Sequence, residues 1–126
     1  MYMASGFRWF AIVLLCAGLA GCGNAPKTAY AGFYRALEKG EIDHAADYFS
    51  SSAHDMLGRA KLRMVLEVQA DYIQKCGGIK NVDLELQGEG DVRHGQAEIT
   101  FKGDCPPQKE KVSMVRENGE WKLGVA

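Results

Sequence analysis

The hydrophobic pattern of this chain changes its period once, at Gly77 and Gly78, and this change limits the possible folds more than any other feature. Before the two glycines, apolar residues recur at the three- and four-residue spacing of a helical face. After them, apolar and polar residues alternate, as they do in half-buried strands. Helices followed by strands predict an α+β domain, with the helices packed on one face of an antiparallel sheet.

Three helices are predicted from the apolar spacing. The first has a stripe made of Tyr30, Phe33, Tyr34 and Leu37, and Gly40 follows at the position of a C-terminal glycine cap. The stripe of the second, which stops at Ser50, consists of Ile42, Ala45, Ala46 and Phe49. The stripe of the third consists of Leu62, Val65, Leu66, Ile73 and Cys76. Gln69 lies on this third stripe, where a polar side chain needs a partner or a wet pocket.

Four antiparallel strands are predicted after Gly78. The first two alternate around Leu84 and Ile99, with a turn between Gly88 and Gly95 that contains His94. The last two form a hairpin, because Asn118 and Gly119 favour a two-residue type I′ turn. That turn places the apolar residues of both strands on one face by pairing Arg116 with Trp121, Met114 with Leu123 and Val112 with Val125. It also lets the Arg116 guanidinium lie on the Trp121 ring.

The N-terminus has the pattern of an export signal. Arg8 is followed by twelve uncharged residues, 9–20, which are too few for a membrane span of about 20. The next residues, Leu19, Ala20, Gly21 and Cys22, resemble the lipobox of bacterial lipoproteins. An ordinary signal peptide with a chance cysteine is the alternative.

The lipobox resemblance implies cleavage before Cys22 and acylation of this residue, which anchors the chain to a membrane. Residues 1–21 would then be the signal, 22–26 the lipidated cysteine with a short tether, and 27–126 the domain. Gly23 stands where the family has Asp in proteins retained at the inner membrane, so the resemblance implies the outer membrane, facing the periplasm.

Two of the four cysteines remain after this processing. Cys16 leaves with the signal and Cys22 is acylated, so Cys76 and Cys105 are expected to form a disulfide in an oxidising compartment. A redox pair or metal ligands are the alternatives, but the sequence has no C-x-x-C spacing and no Cys/His cluster.

The charge balance argues against nucleic acid as a partner. Lys and Arg number 15 against 16 Asp and Glu, a net charge of −1, whereas nucleic-acid binding needs a basic excess. No zinc spacing, phosphate-binding loop or nucleophile motif occurs, so neither a metal nor another cofactor is expected. The one cationic cluster, Arg59, Lys61 and Arg63, is either a solvated helix start or a contact for anionic head groups.

Two stretches of the domain resemble small lipoproteins of the nuclear-transport-factor-2-like (NTF2-like) superfamily, whose fold is a cystatin-like cone. They are Ala-Leu-Glu-Lys-Gly-Glu-Ile-Asp-His-Ala-Ala-Asp-Tyr-Phe at 36–49 and Glu-Asn-Gly-Glu-Trp-Lys-Leu at 117–123. The resemblance implies three helices on a curved four-stranded sheet. Many members of this type have no assigned activity, and the fold does not confer one.

Enzymes of this superfamily place an acid, or a His and an Asp together, inside the cone. The residues that could do so here are His44, Asp47, Tyr48, His54, Asp55, Asp71 and Tyr72. His44 and Asp47 could share a helix face, but a solvated ion pair is the favoured interpretation. His54 and Asp55 lie in a serine-rich connection, where helix capping is the common role. No catalytic residue is therefore assigned.

A ligand pocket is the other use of such a cone, and aromatic side chains with polar tips could line it. The candidate lining residues are Tyr30, Phe33, Tyr34, Tyr48, Gln69 and Tyr72. Core packing accounts for the same aromatic residues.

We therefore expect a membrane-anchored, non-catalytic binding module for a protein or envelope component. A carrier or sensor of a small apolar ligand and an isomerase- or dehydratase-like enzyme are the alternatives. The sequence contains no information on the oligomeric state.

Overall fold

The computed structural model describes residues 25–125. Four helices come first, α1 (Pro26–Glu38), α2 (Ile42–Ala46), α3 (Ser51–Leu57) and α4 (Arg59–Lys75). Four strands follow, β1 (Ile79–Gln87), β2 (Val92–Phe101), β3 (Gln108–Glu117) and β4 (Glu120–Leu123). The α+β class is confirmed. The signal at 1–21 and Cys22 lie outside the described residues, and Pro26, the last residue of the expected tether, already begins α1.

The helical segment differs from the prediction between α2 and α4. Helix α2 ends at Ala46, and Phe49 instead forms an isolated parallel bridge with Leu123 of β4. The expected serine-rich connection forms α3, because the buried Ser50 side chain accepts a hydrogen bond from the Ala53 N–H at 3.1 Å and so caps the helix. The part of the chain that the structure describes thus contains four helices rather than three.

The strands form a simple meander in the order β1-β2-β3-β4, with every pair antiparallel. The last hairpin has the expected register, with Met114 opposite Leu123 and Arg116 opposite Trp121. Val125 is a correction: it lies beyond the end of β4 and is exposed. His94 is another, because it lies within β2, opposite Ser113, and not in the turn.

Trp121 packs against two arginine side chains near the turn of this hairpin. Arg116 lies 5.5 Å from the Trp121 ring, as expected from the register. Arg93 of β2 lies at 4.8 Å from the same ring, so two guanidinium groups contact one indole. The contact from Arg93 is not predicted, because residue 93 falls within the segment 88–95 in which the turn is expected.

Strands β1 and β2 approach each other closely at Gly95. A Cβ built on Gly95 would lie 1.8 Å from the carbonyl oxygen of Glu85, so no other residue fits between these strands without a backbone shift. The curled sheet wraps around α1, which contacts both edge strands, β1 and β4. The sheet and helices together make a cone.

The core fills the space between α1, α4 and the concave face of the sheet. Its fully buried members include Tyr30, Leu37, Ile73, Ile99 and Met114. The expected disulfide is present: it joins Cys76, after α4, to Cys105, before β3, with the two Cα atoms 5.5 Å apart. The core of the described residues is continuous from α1 to β4, and the disulfide joins its member Cys76 to Cys105, which packs against it.

One predicted core residue is on the surface. Val65 has an exposed fraction of 51%, because α4 turns the side that carries Leu62, Leu66 and Ile73 toward the core. Met64 and Val68, at 58% and 67%, are exposed beside it. No helix within 25–125 has both the length and the apolar character needed to cross a membrane.

Candidate functional site

A carboxylate lies on the concave face of the sheet. Glu110 of β3 is half-buried, and its neighbour across the sheet is the small, buried Ala97 of β2. Its inward orientation follows from the two-residue period of β3, which places Val112 and Met114 on the same face. Glu110 therefore shares a face of β3 with the buried Val112 and Met114.

Neutral donors from α1 and β3 surround this carboxylate. The Tyr34 hydroxyl is 3.0 Å from each Glu110 carboxylate oxygen, and the Tyr30 hydroxyl donates a short hydrogen bond to Oε2. The Gln108 amide donates to Oε1 at 3.0 Å. Gln69 of α4 donates to the Gln108 amide oxygen at 3.3 Å. We call these five residues the tyrosine-glutamate network.

The network holds its protons on the two phenols. Burial is the largest cause that raises the pKa of Tyr30 and of Tyr34 far above the ordinary value, and the nearby Glu110 carboxylate raises both further. Both tyrosines therefore remain donors at neutral pH. Within residues 25–125, none of the ion pairs includes Glu110.

A cleft of about 280 Å³ opens over the network. It lies between α1, α4 and the last two strands. Its apolar walls are formed by Phe33, Phe49, Val65, Leu66, Val112 and Leu123. Its polar lining consists of Tyr34, Gln69, Glu110, Lys111 and Ser113. An apolar cavity with a few convergent polar groups is the usual form of a small-molecule site.

The six residues expected to line a pocket do not all line the same cleft. Phe33, Tyr34 and Gln69 line the cleft, and the fully buried Tyr30 reaches Glu110 from inside the core. Tyr48 lines a separate surface cleft beside Trp121. Tyr72 packs edge-to-face on Phe101, with the ring centroids 5.7 Å apart. The polar partner that Gln69 needs on its apolar stripe is Gln108.

Two central residues of the network, Gln108 and Glu110, were missed in the sequence. Because both residues alternate with lysines, Lys109 and Lys111, the segment 108–111 has the polar composition of a solvent-exposed strand. A signal was present: the apolar face of Val112 and Met114, continued backwards by twos, reaches Glu110 and then Gln108.

The histidines and aspartates that were candidates for catalysis do not line the cleft. His44 pairs with Glu41, at 3.6 Å, rather than with Asp47, and its ring stacks on Tyr48. The His54 ring nitrogen Nε2 lies 2.9 Å from the Ala46 carbonyl oxygen and links α3 to α2. The other two, Asp55 and Asp71, are exposed, and Asp71 pairs with Lys75.

Two of the three basic residues in the cationic cluster at the start of α4 form ion pairs with acidic side chains. Arg59 and Arg63 both contact Asp43 of α2, and Arg63 also lies 3.4 Å from Glu67. Lys61 is exposed. In the described part of the chain, no three His, Cys, Asp or Glu side chains are placed to hold a metal ion.

No protein-family model and no curated protein sequence matches the chain. A solved structure does match it: the crystal structure of the "Putative NTF2-like transpeptidase" from Campylobacter jejuni, with a TM-score of 0.67 and 18% identity. The match covers 81% of this chain and 99% of that one. At this identity the likeness shows the fold alone, and it confirms the NTF2-like cone that the two resembling stretches implied.

Proposed function

We propose that this protein is an exported, lipid-anchored, non-catalytic binding module, and that it holds a small ligand in the cleft over Glu110. The observation that carries the proposal is the half-buried Glu110 carboxylate at an apolar-walled cleft, surrounded by neutral donors. Polar groups that converge in an apolar cavity fix the orientation of a ligand and supply specificity.

Binding fits this arrangement better than catalysis. General acid-base chemistry needs a group that exchanges a proton near the operating pH. The two phenols that contact Glu110 have a pKa raised well above this range, and the candidate histidines and aspartates lie away from the cleft. Among the described residues, Glu110 is the one acid that lines the cleft, so an isomerase- or dehydratase-like enzyme would have to use it without a histidine or a second acid beside it.

The lipid anchor rests on the lipobox resemblance at 19–22. The Cys76–Cys105 disulfide fits an oxidising compartment, as export would provide. Because α1 begins at Pro26, three residues separate it from Cys22, and they span at most about 14 Å from cysteine to helix. The domain would therefore lie close to the membrane, which we propose is the outer membrane on its periplasmic side.

Native mass spectrometry of the exported chain tests the ligand site. The matched variants are Val65→Trp, which fills the cleft from α4, and Val68→Trp, which adds the same ring on the exposed helix surface. We expect a bound small molecule on the wild type and on Val68→Trp, and none on Val65→Trp. No bound mass on the wild type, or equal occupancy in all three, would count against the proposal.

A protein partner is a second candidate occupant, favoured by the exposed apolar side chains of α4. Met64 and Val68 have exposed fractions of 58% and 67% on the outer surface of that helix. Val68→Glu should then abolish co-purification of the partner and leave the bound small molecule unchanged. Loss of the small molecule instead would show that the helix surface and the cleft act as one site.

A further inference from the structure

Glu110 carries a charge for which the described chain supplies no cation. Half-buried carboxylates in proteins are ordinarily compensated by a basic group or by several hydrogen bonds. Glu110 has the hydrogen bonds, from Tyr30, Tyr34 and Gln108, but no Lys, Arg or His of residues 25–125 forms an ion pair with it. The strand alternation places Lys109 and Lys111 on the opposite face of β3 from Glu110, and although Lys111 also borders the cleft, it forms no ion pair with Glu110.

The carboxylate also keeps acceptor capacity. An ionised carboxylate has about four lone-pair positions on its two oxygens. Three side chains donate to Glu110, and all three are neutral. A further donor from a ligand would therefore add to the network without displacing any of its members.

The remaining features of the cleft restrict the kind of cation. Phe33, Phe49 and Leu66 make its walls apolar, so a hydrated inorganic ion has few ligands there. The volume of about 280 Å³ accommodates a small molecule rather than a long chain. The aromatic walls also suit a cation, because ring faces attract positive charge.

We propose that the cleft binds a small organic ammonium ion, with its N–H groups on the Glu110 carboxylate and its apolar body against Phe33, Phe49 and Leu66. This inference rests on the proposed ligand site and specifies the chemistry of its occupant. The Tyr30 and Tyr34 hydroxyls act as positioning groups, because both fix the orientation of the carboxylate from the buried side.

Three probes of one shape isolate the contribution of charge: benzylammonium, benzyl alcohol and benzoate. The protein is the soluble chain beginning at Gly23, which retains the core of the described residues and both bridged cysteines. Isothermal titration calorimetry should give benzylammonium an affinity about 10-fold or more above that of benzyl alcohol, as expected for a charge-assisted hydrogen bond. Benzoate should show no binding, because its charge repels Glu110.

Two carboxylate variants complete the test. Glu110→Gln should lower the benzylammonium affinity about 10-fold and leave benzyl alcohol unchanged. Glu85→Gln, which removes an exposed charge from β1, should change neither affinity. If Glu110→Gln does not fold, the comparison of the three probes on the wild type still decides the question.

The failure of this inference differs from the failure of the proposed function. Equal affinity for benzylammonium and benzyl alcohol on the wild type would overturn the ammonium assignment, whereas the small molecule detected by native mass spectrometry would still support a ligand site. Absence of binding by all three probes, together with an empty native mass spectrum, would overturn both.

Discussion

The disulfide should contribute a large part of the stability of this domain. Cys76 and Cys105 are 29 residues apart, and closing a loop of this length lowers the entropy of the unfolded chain by an amount equivalent to about 3.6 kcal/mol at 25 °C. For a domain of about 100 residues this corresponds to roughly 15–25 °C in Tm. Small domains have only about 5–15 kcal/mol of net stability, so the bridge is a substantial fraction.

Thermal unfolding followed by circular dichroism, with and without a phosphine reductant, measures this contribution. The soluble chain beginning at Gly23 should lose about 15–25 °C in Tm on reduction and gain the mass of two hydrogens. The control is the double variant Cys76→Ala with Cys105→Ala, whose Tm should be low and insensitive to reductant. A wild-type Tm that changes by less than about 5 °C on reduction would refute the loop-entropy reasoning.

Three further predictions test the close approach of β1 and β2, the network and the anchor. Gly95→Ala should destabilise the domain by about 3 kcal/mol or more in urea unfolding, because its Cβ would meet the Glu85 carbonyl oxygen; near-wild-type stability would contradict this. The free energy of unfolding should fall as pH rises above about 10, because unfolded tyrosines then ionise whereas burial keeps Tyr30 and Tyr34 protonated. Tyr34→Phe should reduce that slope, and an unchanged slope measured by urea titration would argue against the network. Cys22→Ala should move the protein from the membrane fraction to the soluble fraction on cell fractionation; retention in the membrane would argue against lipidation.

Much of the fold could be predicted because each local pattern agreed with the others. The change of period at Gly77 separates helices from strands, and the turn at Asn118 and Gly119 sets the register that brings Arg116 to Trp121. Helix α3 was missed because it has only seven residues, and its apolar residues Ala53, Met56 and Leu57 cover little more than one turn. Its signal was the capping side chain of Ser50, which sequence reasoning treated as part of a connection.

The candidate site could be predicted only in part, because it depends on long-range contacts. Tyr34 and Gln69 were identified from their place on helical stripes, but their contacts depend on the curl of a strand 76 residues after Tyr34 and 39 residues after Gln69. Glu110 looked like a solvated residue between two lysines. Only the register of β3 against β2 places it inside the cone.

The assignment of the cleft as the ligand site can be tested residue by residue with nitrogen-15 NMR. Benzylammonium is added to the labelled soluble chain beginning at Gly23, and the shifts of the backbone amides are followed. The account predicts shifts confined to the residues around Phe33, Leu66 and Glu110, which surround the cleft. Shifts centred instead on Glu85 and Gln96, on the opposite face of the sheet, or no shifts at millimolar probe, would contradict it.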